Sequence, residues 1–299
     1  MEVTVVGAGI VGLSTALVLE EHGHRVTIVA ADTRAITSSL AGAVWFPYHV
    51  GPPDKVPRWA ARTRDWLEEL GRDPASGVDA LTFYEITRDA SPLWWASAAT
   101  LARARAPVRG NPEAWTFAAP RAEPARFLPF LAGKLRATIE QRDVHDLAAE
   151  RGDAVINCTG LAARELANDP AITPLFGQTL ICEPGGFDLS VTITDARDDD
   201  AHFYVIPRRD ELVVGGCSIA KPPGTAPVID DAVTTRILAQ ANALDVPIGP
   251  IKTIRAGMRP SRPAVRLERD GRVIHNYGHG GAGFTLCRGC AEDVAALLT

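Results

Sequence analysis

Apolar positions at the start of the chain fall into three blocks with different periods. Val3-Thr4-Val5-Val6 is a short apolar run of the kind that forms a fully buried strand. Gly7-Ala8-Gly9-Ile10-Val11-Gly12 follows at once, and the apolar run from Ile10 to Leu19 has the length of a helix. Arg25-Val26-Thr27-Ile28-Val29 then predicts a second strand. A strand, a glycine turn and a helix N-terminus in this order form a seat for a dinucleotide pyrophosphate. Gly7 permits the tight turn, Gly9 lets backbone N–H groups approach phosphate, and Gly12 lets the helix pack close to the strand. Ile10 and Val11 open the helix, whose dipole favours negative charge. Asp32 stands twenty residues after Gly12, near where an acid accepts from a ribose hydroxyl.

The same grammar returns later. Asp153 to Gly160 predicts a strand ending in a Thr-Gly turn. Phe127 to Ile139 has helical spacing, and Val144 lies in a short stretch with strand character. Val273 to Tyr277 predicts a strand, Gly278 to Gly283 a glycine-rich turn, and Thr285 to Leu298 a final helix. Two blocks of another character lie between. Residues 45–115 hold all six tryptophans. Residues 177–255 hold strand-like runs at Gln178–Cys182, Ser190–Thr194, His202–Ile206 and Glu211–Gly215, with a helix over Asp230–Leu244. The economical fold is α/β: a discontinuous Rossmann-like nucleotide domain interleaved with a mixed-sheet α+β domain.

Composition narrows the function. Hydrophobic residues make up 46% and charged residues 22% of the 299, as in globular domains. A net charge of −5 offers no basic surface for nucleic acid. The uncharged stretch from Val3 to Leu19 carries the glycine fingerprint and follows Met1-Glu2 rather than a basic segment. It reads as strand and helix, not as a membrane span or secretory signal. Arginine supplies nearly all the positive charge beside only four lysines, as in a GC-rich bacterial genome, and Ala-Leu-Leu-Thr at the end is no peroxisomal address. A cytoplasmic bacterial protein is the expectation. Five cysteines make no disulfide framework. Cys287-Arg-Gly-Cys290 has the spacing of a redox pair, but two reduced thiols on a helix is the favoured reading, and no second pair completes a zinc site.

Several blocks together carry a resemblance. They are residues 5–16 (Val-Val-Gly-Ala-Gly-Ile-Val-Gly-Leu-Ser-Thr-Ala), Ala41 to Tyr48, Val155 to Gly160, Phe203 to Pro207, Gly257 to Pro263 and Val273 to Thr285. In these the chain resembles the D-amino-acid oxidase family of FAD enzymes, over nearly its whole length. The resemblance implies a glutathione-reductase-like FAD-binding domain over 1–48, 120–176 and 256–299, and a substrate domain over 49–119 and 177–255. It implies FAD contacts at Gly7, Gly9, Ile10, Val11, Gly12, Asp32, Thr37, Ser38, Gly42, Ala43 and Val44, at Val144 and Gly160 on the adenine side, and at Gly280, Gly283, Phe284 and Thr285. The last four open a helix, whose N-terminus would stabilise the negative charge of reduced flavin.

For the substrate, the resemblance implies that Arg259 grips a carboxylate through a two-pronged guanidinium contact. Tyr204 would help hold it, and the Gly281 carbonyl would accept from the amine. Arg262 and Arg266 are left to structure or FAD. His202 and His279 are tempting bases, but the family chemistry needs none: hydride passes from Cα to flavin N5. The products are a 2-oxo acid, ammonia and, after reoxidation by O2, hydrogen peroxide. The expected partners are therefore a small D-amino acid and O2, with neither nucleic acid nor membrane, and a homodimer is left open. Departures concern side-chain preference. Asp200, within Arg197-Asp198-Asp199-Asp200, stands where many members carry a second tyrosine on a lid; Ala282 replaces an aromatic; Phe46 fills an often polar position. The alternatives are a D-aspartate, glycine or sarcosine oxidase of the same superfamily and, more distantly, a non-oxidase dinucleotide-binding protein.

Overall fold

The computed structural model describes residues 1–33, 37–198 and 202–298. Asp199 and Asp200, the last two residues of the acidic run that begins at Arg197, lie outside the described residues. The chain forms two compact units, one of residues 1–78, 122–174 and 259–299 and the other of residues 79–121 and 175–258.

In the first unit five parallel strands run in the order Val273–His279, Ala154–Asn157, Glu2–Val6, Arg25–Ala30 and Thr138–Gln141. Val3 to Val6 are all buried, as a central parallel strand covered on both faces requires. The helices Ile10–Glu21 and Gly283–Ala296 pack together. Val273–His279 also takes an antiparallel neighbour from the Ile251–Asp270 strand, with a register shift between Ser261 and Arg266. That strand carries the Pro-rich Arg259 segment, and the shift follows Pro260 and encloses Pro263, residues unable to donate to a ladder.

Two expectations are corrected here. The Phe127–Ile139 pattern is not one helix. Helix Pro124–Lys134 stops at Leu135, which is extended. The next N–H, of Arg136, donates to both Glu20 carboxylate oxygens at 3.1 and 3.0 Å, and Thr138–Gln141 pairs with Arg25–Ala30. Val144 follows that strand and packs against Val6, Leu147 and Val155. Secondly, residues 49–78, expected with residues 79–119 in the substrate domain, cluster with the first unit. Helix Val56–Leu70 packs on Gly283–Ala296: a Cβ added to Gly289 would lie 2.4 Å from the Trp59 Cα, a backbone-to-backbone approach that only glycine allows. Arg58 grips Asp293 with two hydrogen bonds of 2.9 and 2.6 Å, and Trp59 Nε1 donates to the same carboxylate at 2.7 Å.

The second unit is a mixed sheet in the order Ala102–Arg105, Glu113–Ala122, Val78–Ile86, Val191–Asp195, Phe203–Pro207, Leu212–Gly215 and Thr173–Cys182, ending on the first half of Ile251–Asp270. Val191–Asp195 runs parallel to Val78–Ile86 and antiparallel to Phe203–Pro207. Helix Asp231–Ala243 is capped by the Asp230 side chain, which accepts from the Ala232 N–H at 2.9 Å. Among the described residues no helix is long and apolar enough to cross a membrane. The five cysteines are buried and free, and Cys287 and Cys290 lie on the Gly283–Ala296 helix.

Candidate active site

The glycine turn is a cradle that side chains would fill. Gly7 has φ +113°, and a Cβ there would lie 2.4 Å from the Cys158 carbonyl oxygen. A Cβ on Gly12 would lie 1.9 Å from the Gly7 oxygen, so helix and strand meet at van der Waals limit only without one. Gly9 is the N-cap of Ile10–Glu21 and brings no capping side chain. Ser38, on the short Thr37–Leu40 turn, accepts from the Ile10 N–H at 3.0 Å, which places the Thr37-Ser38 pair beside the helix N-terminus. Asp32 is exposed just past the second strand. Ala43 holds φ +57° without being glycine, and its carbonyl accepts from the Ala122 N–H at 2.9 Å. Such strained backbone concentrates at binding sites. Gly160 has φ +60° directly after the Ala154–Asn157 strand.

The second cradle is the C-terminal turn. Gly280 has φ +54°, and its N–H donates to the Pro260 carbonyl at 2.9 Å. The helix behind it starts at Gly283 with no side-chain cap from Ala282. A Cβ on Gly283 would lie 3.3 Å from Ile10 Cγ2 and 3.9 Å from Val11 Cγ2. Two helix N-termini whose own N-cap residues, Gly9 and Ala282, bring no capping side chain thus lie together, with Ser38 taking the Ile10 N–H, and their dipoles favour an anion there. This is the fit of an extended dinucleotide with anionic charge to the residues present. At two of the expected positions the side chains are engaged within the protein. Thr285 is 1% exposed; its hydroxyl accepts from the Phe46 N–H at 3.1 Å and donates to the Phe46 carbonyl at 2.9 Å, and its own N–H donates to Ala282 at 3.0 Å. Thr285 is therefore a strap that ties the Trp45-Phe46 segment to the helix. The Phe284 ring packs toward Phe127, with centroids 6.2 Å apart.

Arg259 lies beside this turn. A Cβ on Gly281 would stand 3.6 Å from Arg259 Cδ and 3.1 Å from Tyr48 Cδ1, so the arginine stem and the Tyr48 ring flank the Gly281 backbone. Tyr48 closes the Ala41–Tyr48 block, and its position in that block was the available signal. The neighbouring arginines are structural. Arg262 Nε donates to Asp169 at 2.9 Å, the Tyr277 hydroxyl donates to the same carboxylate at 2.8 Å, and Arg266 donates to the Tyr277 oxygen at 2.8 Å. Burial pushes the Asp169 carboxyl up, but these donors more than offset it and hold the group below its usual range. No motif marks Asp169 in the sequence.

His279, one of the two candidate bases, is 3% exposed with no partner for Nε2 among the described residues, and burial holds its pKa down at about 4. At neutral pH it is uncharged. In the second unit Tyr204 pairs with Thr194 on one side and Gly215 on the other. Its ring lies over Gly215, where a Cβ would meet the hydroxyl oxygen at 2.5 Å. His202 stacks alongside, with centroids 6.4 Å apart. Among the described residues no group of histidine, cysteine, aspartate and glutamate is arranged to hold a metal ion.

The parallel sheet with its glycine turn and converging helix ends defines a dinucleotide-binding protein. Residues 2–297 match the model of the family described as DAO, FAD-dependent oxidoreductase, and the chain belongs to that family. It is 38% identical to a D-amino-acid oxidase of Rubrobacter xylanophilus, over 98% of this chain and 94% of that protein. It is 37% identical to one of Streptomyces coelicolor, over 100% and 97%. A human D-aspartate oxidase is 29% identical, over 99% and 94%. In fold the chain is similar to a glycine oxidase of Bacillus cereus, with TM-score 0.79 and 18% identity over 99% of this chain and 94% of that one.

Proposed function

We propose that this chain oxidises D-amino acids with bound FAD and O2, giving a 2-oxo acid, ammonia and hydrogen peroxide. The carrying observation is Arg259 beside the Gly280–Gly283 turn, with the two helix N-termini converging on that turn. Gly7, Gly9, Gly12, Ser38 and the 280–283 turn are the residues that would hold FAD, with Asp32, Thr37, Gly42, Ala43, Val44, Val144 and Gly160 as further contacts. When bound, FAD supplies the two-electron acceptor.

The residues of the chain do the orienting. The Arg259 guanidinium offers parallel donors to the substrate carboxylate and fixes its plane. Tyr204 adds a hydroxyl donor to the substrate, and the Gly281 carbonyl accepts from its amine. Three fixed attachment points leave one enantiomer with its Cα hydrogen in the reactive direction. His279, buried and neutral, shapes the turn and takes no proton.

Purified protein tests this. A visible flavin band should bleach anaerobically with a D-amino acid and not with its L-form, and peroxide should appear in air. Protein that stays colourless after FAD addition would refute the reading. A D-aspartate preference is the second reading, supported by the human D-aspartate oxidase relative. It predicts faster turnover of D-aspartate than of neutral D-amino acids.

A further inference from the structure

Strand register in the second unit brings a buried acid onto the face that carries Tyr204. In the parallel pair Glu85 is opposite Thr194, and in the antiparallel pairs Thr194 is opposite Tyr204 and Tyr204 opposite Gly215. Residues directly opposite in a sheet project to the same face. Glu85, Thr194, Tyr204 and Gly215 therefore form one row across four strands. From Gly215, under the Tyr204 hydroxyl, to Glu85 is three strand spacings, about 14 Å. Beside this row Phe83 stacks on Phe117 at 4.7 Å, with Trp95 edge-on to Phe117 at 5.2 Å, giving an apolar border.

Glu85 is 3% exposed, and among the described residues its Oε2 has no hydrogen-bond partner. No salt bridge joins it to a cation among the described residues; nearby Arg197 is committed to Asp195 through bonds of 2.9 and 2.7 Å. Burial, with Asp195 adding repulsion, pushes the Glu85 carboxyl well above the usual carboxylate range. An enclosed carboxyl oxygen without a partner is costly, and each such atom calls for an explanation.

We propose that Glu85 is a specificity-determining residue that pairs with the cationic end of a long basic D-amino acid, arginine or lysine. This rests on the oxidase reading, and on Tyr204 marking the substrate face of the sheet. The spacing selects length: a side chain held at its carboxylate near the Tyr204 hydroxyl spans the Thr194 position and meets Glu85 only if it is as long as lysine or arginine. The apolar border suits the methylene stem, and the bound cation supplies the missing partner and draws the proton off Glu85. A site built around a buried charge rejects isosteres that lack the opposite charge more strongly than an apolar pocket rejects a missing methylene.

The holoenzyme gives the test without any variant. D-citrulline matches D-arginine in length but carries no charge. We expect kcat/KM for D-arginine to exceed that for D-citrulline by about 30-fold or more, the value of one buried charged contact. Equal or better turnover of D-citrulline would overturn the proposal. In Glu85→Gln, nearly isosteric, that preference should vanish while D-leucine turnover stays unchanged. A preference that survives, or equal losses for D-leucine and D-arginine, would also overturn it. Wild-type protein that oxidises D-leucine but not D-arginine sinks this inference alone. Flavoprotein that oxidises no D-amino acid sinks the oxidase reading beneath it.

Discussion

In the proposed function Arg259 and Tyr204 have unequal shares of the substrate carboxylate. A guanidinium brings full charge and two parallel donors, whereas a phenol brings one neutral donor. Arg259→Ala should keep the flavin spectrum and lose about 2–5 kcal/mol in kcat/KM. Steady-state kinetics on protein with full flavin absorbance checks this, and near-normal kinetics would remove Arg259 from the site. Tyr204→Phe should lose less, about 1 kcal/mol, as for a neutral hydrogen bond. The glycines are the residues whose roles are most legible in sequence, because the demand on each is local. Gly12→Ala would place a methyl 1.9 Å from the Gly7 oxygen. Loss of bound FAD on gel filtration is the expected outcome, and flavin retained at wild-type occupancy would contradict it. Asp169 was not legible: its value comes from Arg262 and Tyr277, 93 and 108 positions away, and no local pattern announces it.

Elements were legible where their period was unbroken and their partners local. Glu2–Val6, Ile10–Glu21 and Arg25–Ala30 form as the apolar pattern predicts. The Phe127–Ile139 segment misleads because its apolar spacing continues past the point where Glu20 captures Arg136 and a strand edge becomes available. Helix Val56–Leu70 has a clear amphipathic pattern, but the pattern cannot say which surface receives it. Gly289 decides that by letting Trp59 approach its backbone. Gly289→Ala should therefore destabilise the protein by about 1–3 kcal/mol through overpacking. Gly133 sits in the Pro124–Lys134 helix with nothing near its Cβ direction. Gly133→Ala should be neutral or stabilise by up to about 1 kcal/mol. Denaturant midpoints of the two variants test the pair; equal shifts would mean that the Gly289 contact is not tight.

At the scale of the whole molecule, buried histidines set an acid limit on stability. The folded His279 pKa is held at about 4 by burial, below the ordinary histidine value of 6.5. Between those values the unfolded chain binds a proton that the folded one refuses. This contribution is thus complete above about pH 6.5 and is lost as pH falls toward 4. The full loss is on the order of 3 kcal/mol. His275, also lowered chiefly by burial, acts in the same direction. Urea midpoints between pH 7 and 4 should fall more steeply for wild type than for His279→Asn, and parallel profiles would contradict this origin.

The order of apolar and polar residues by itself determined the nucleotide cradle, because strand, glycine turn and helix start are contiguous and answer to sterics within a dozen residues. It also determined that the late glycine turn opens a helix. Only the tertiary structure decided the rest. It sent the Val56–Leu70 helix to the first unit, made Ile139 part of a strand, and drew Arg262, Arg266, Tyr277 and Asp169 into one network. It also set Glu85 in a row with Tyr204, 119 positions along the chain. The physical reason is common to all of these: strand register and close packing depend on which distant surface arrives, and no local period carries that information.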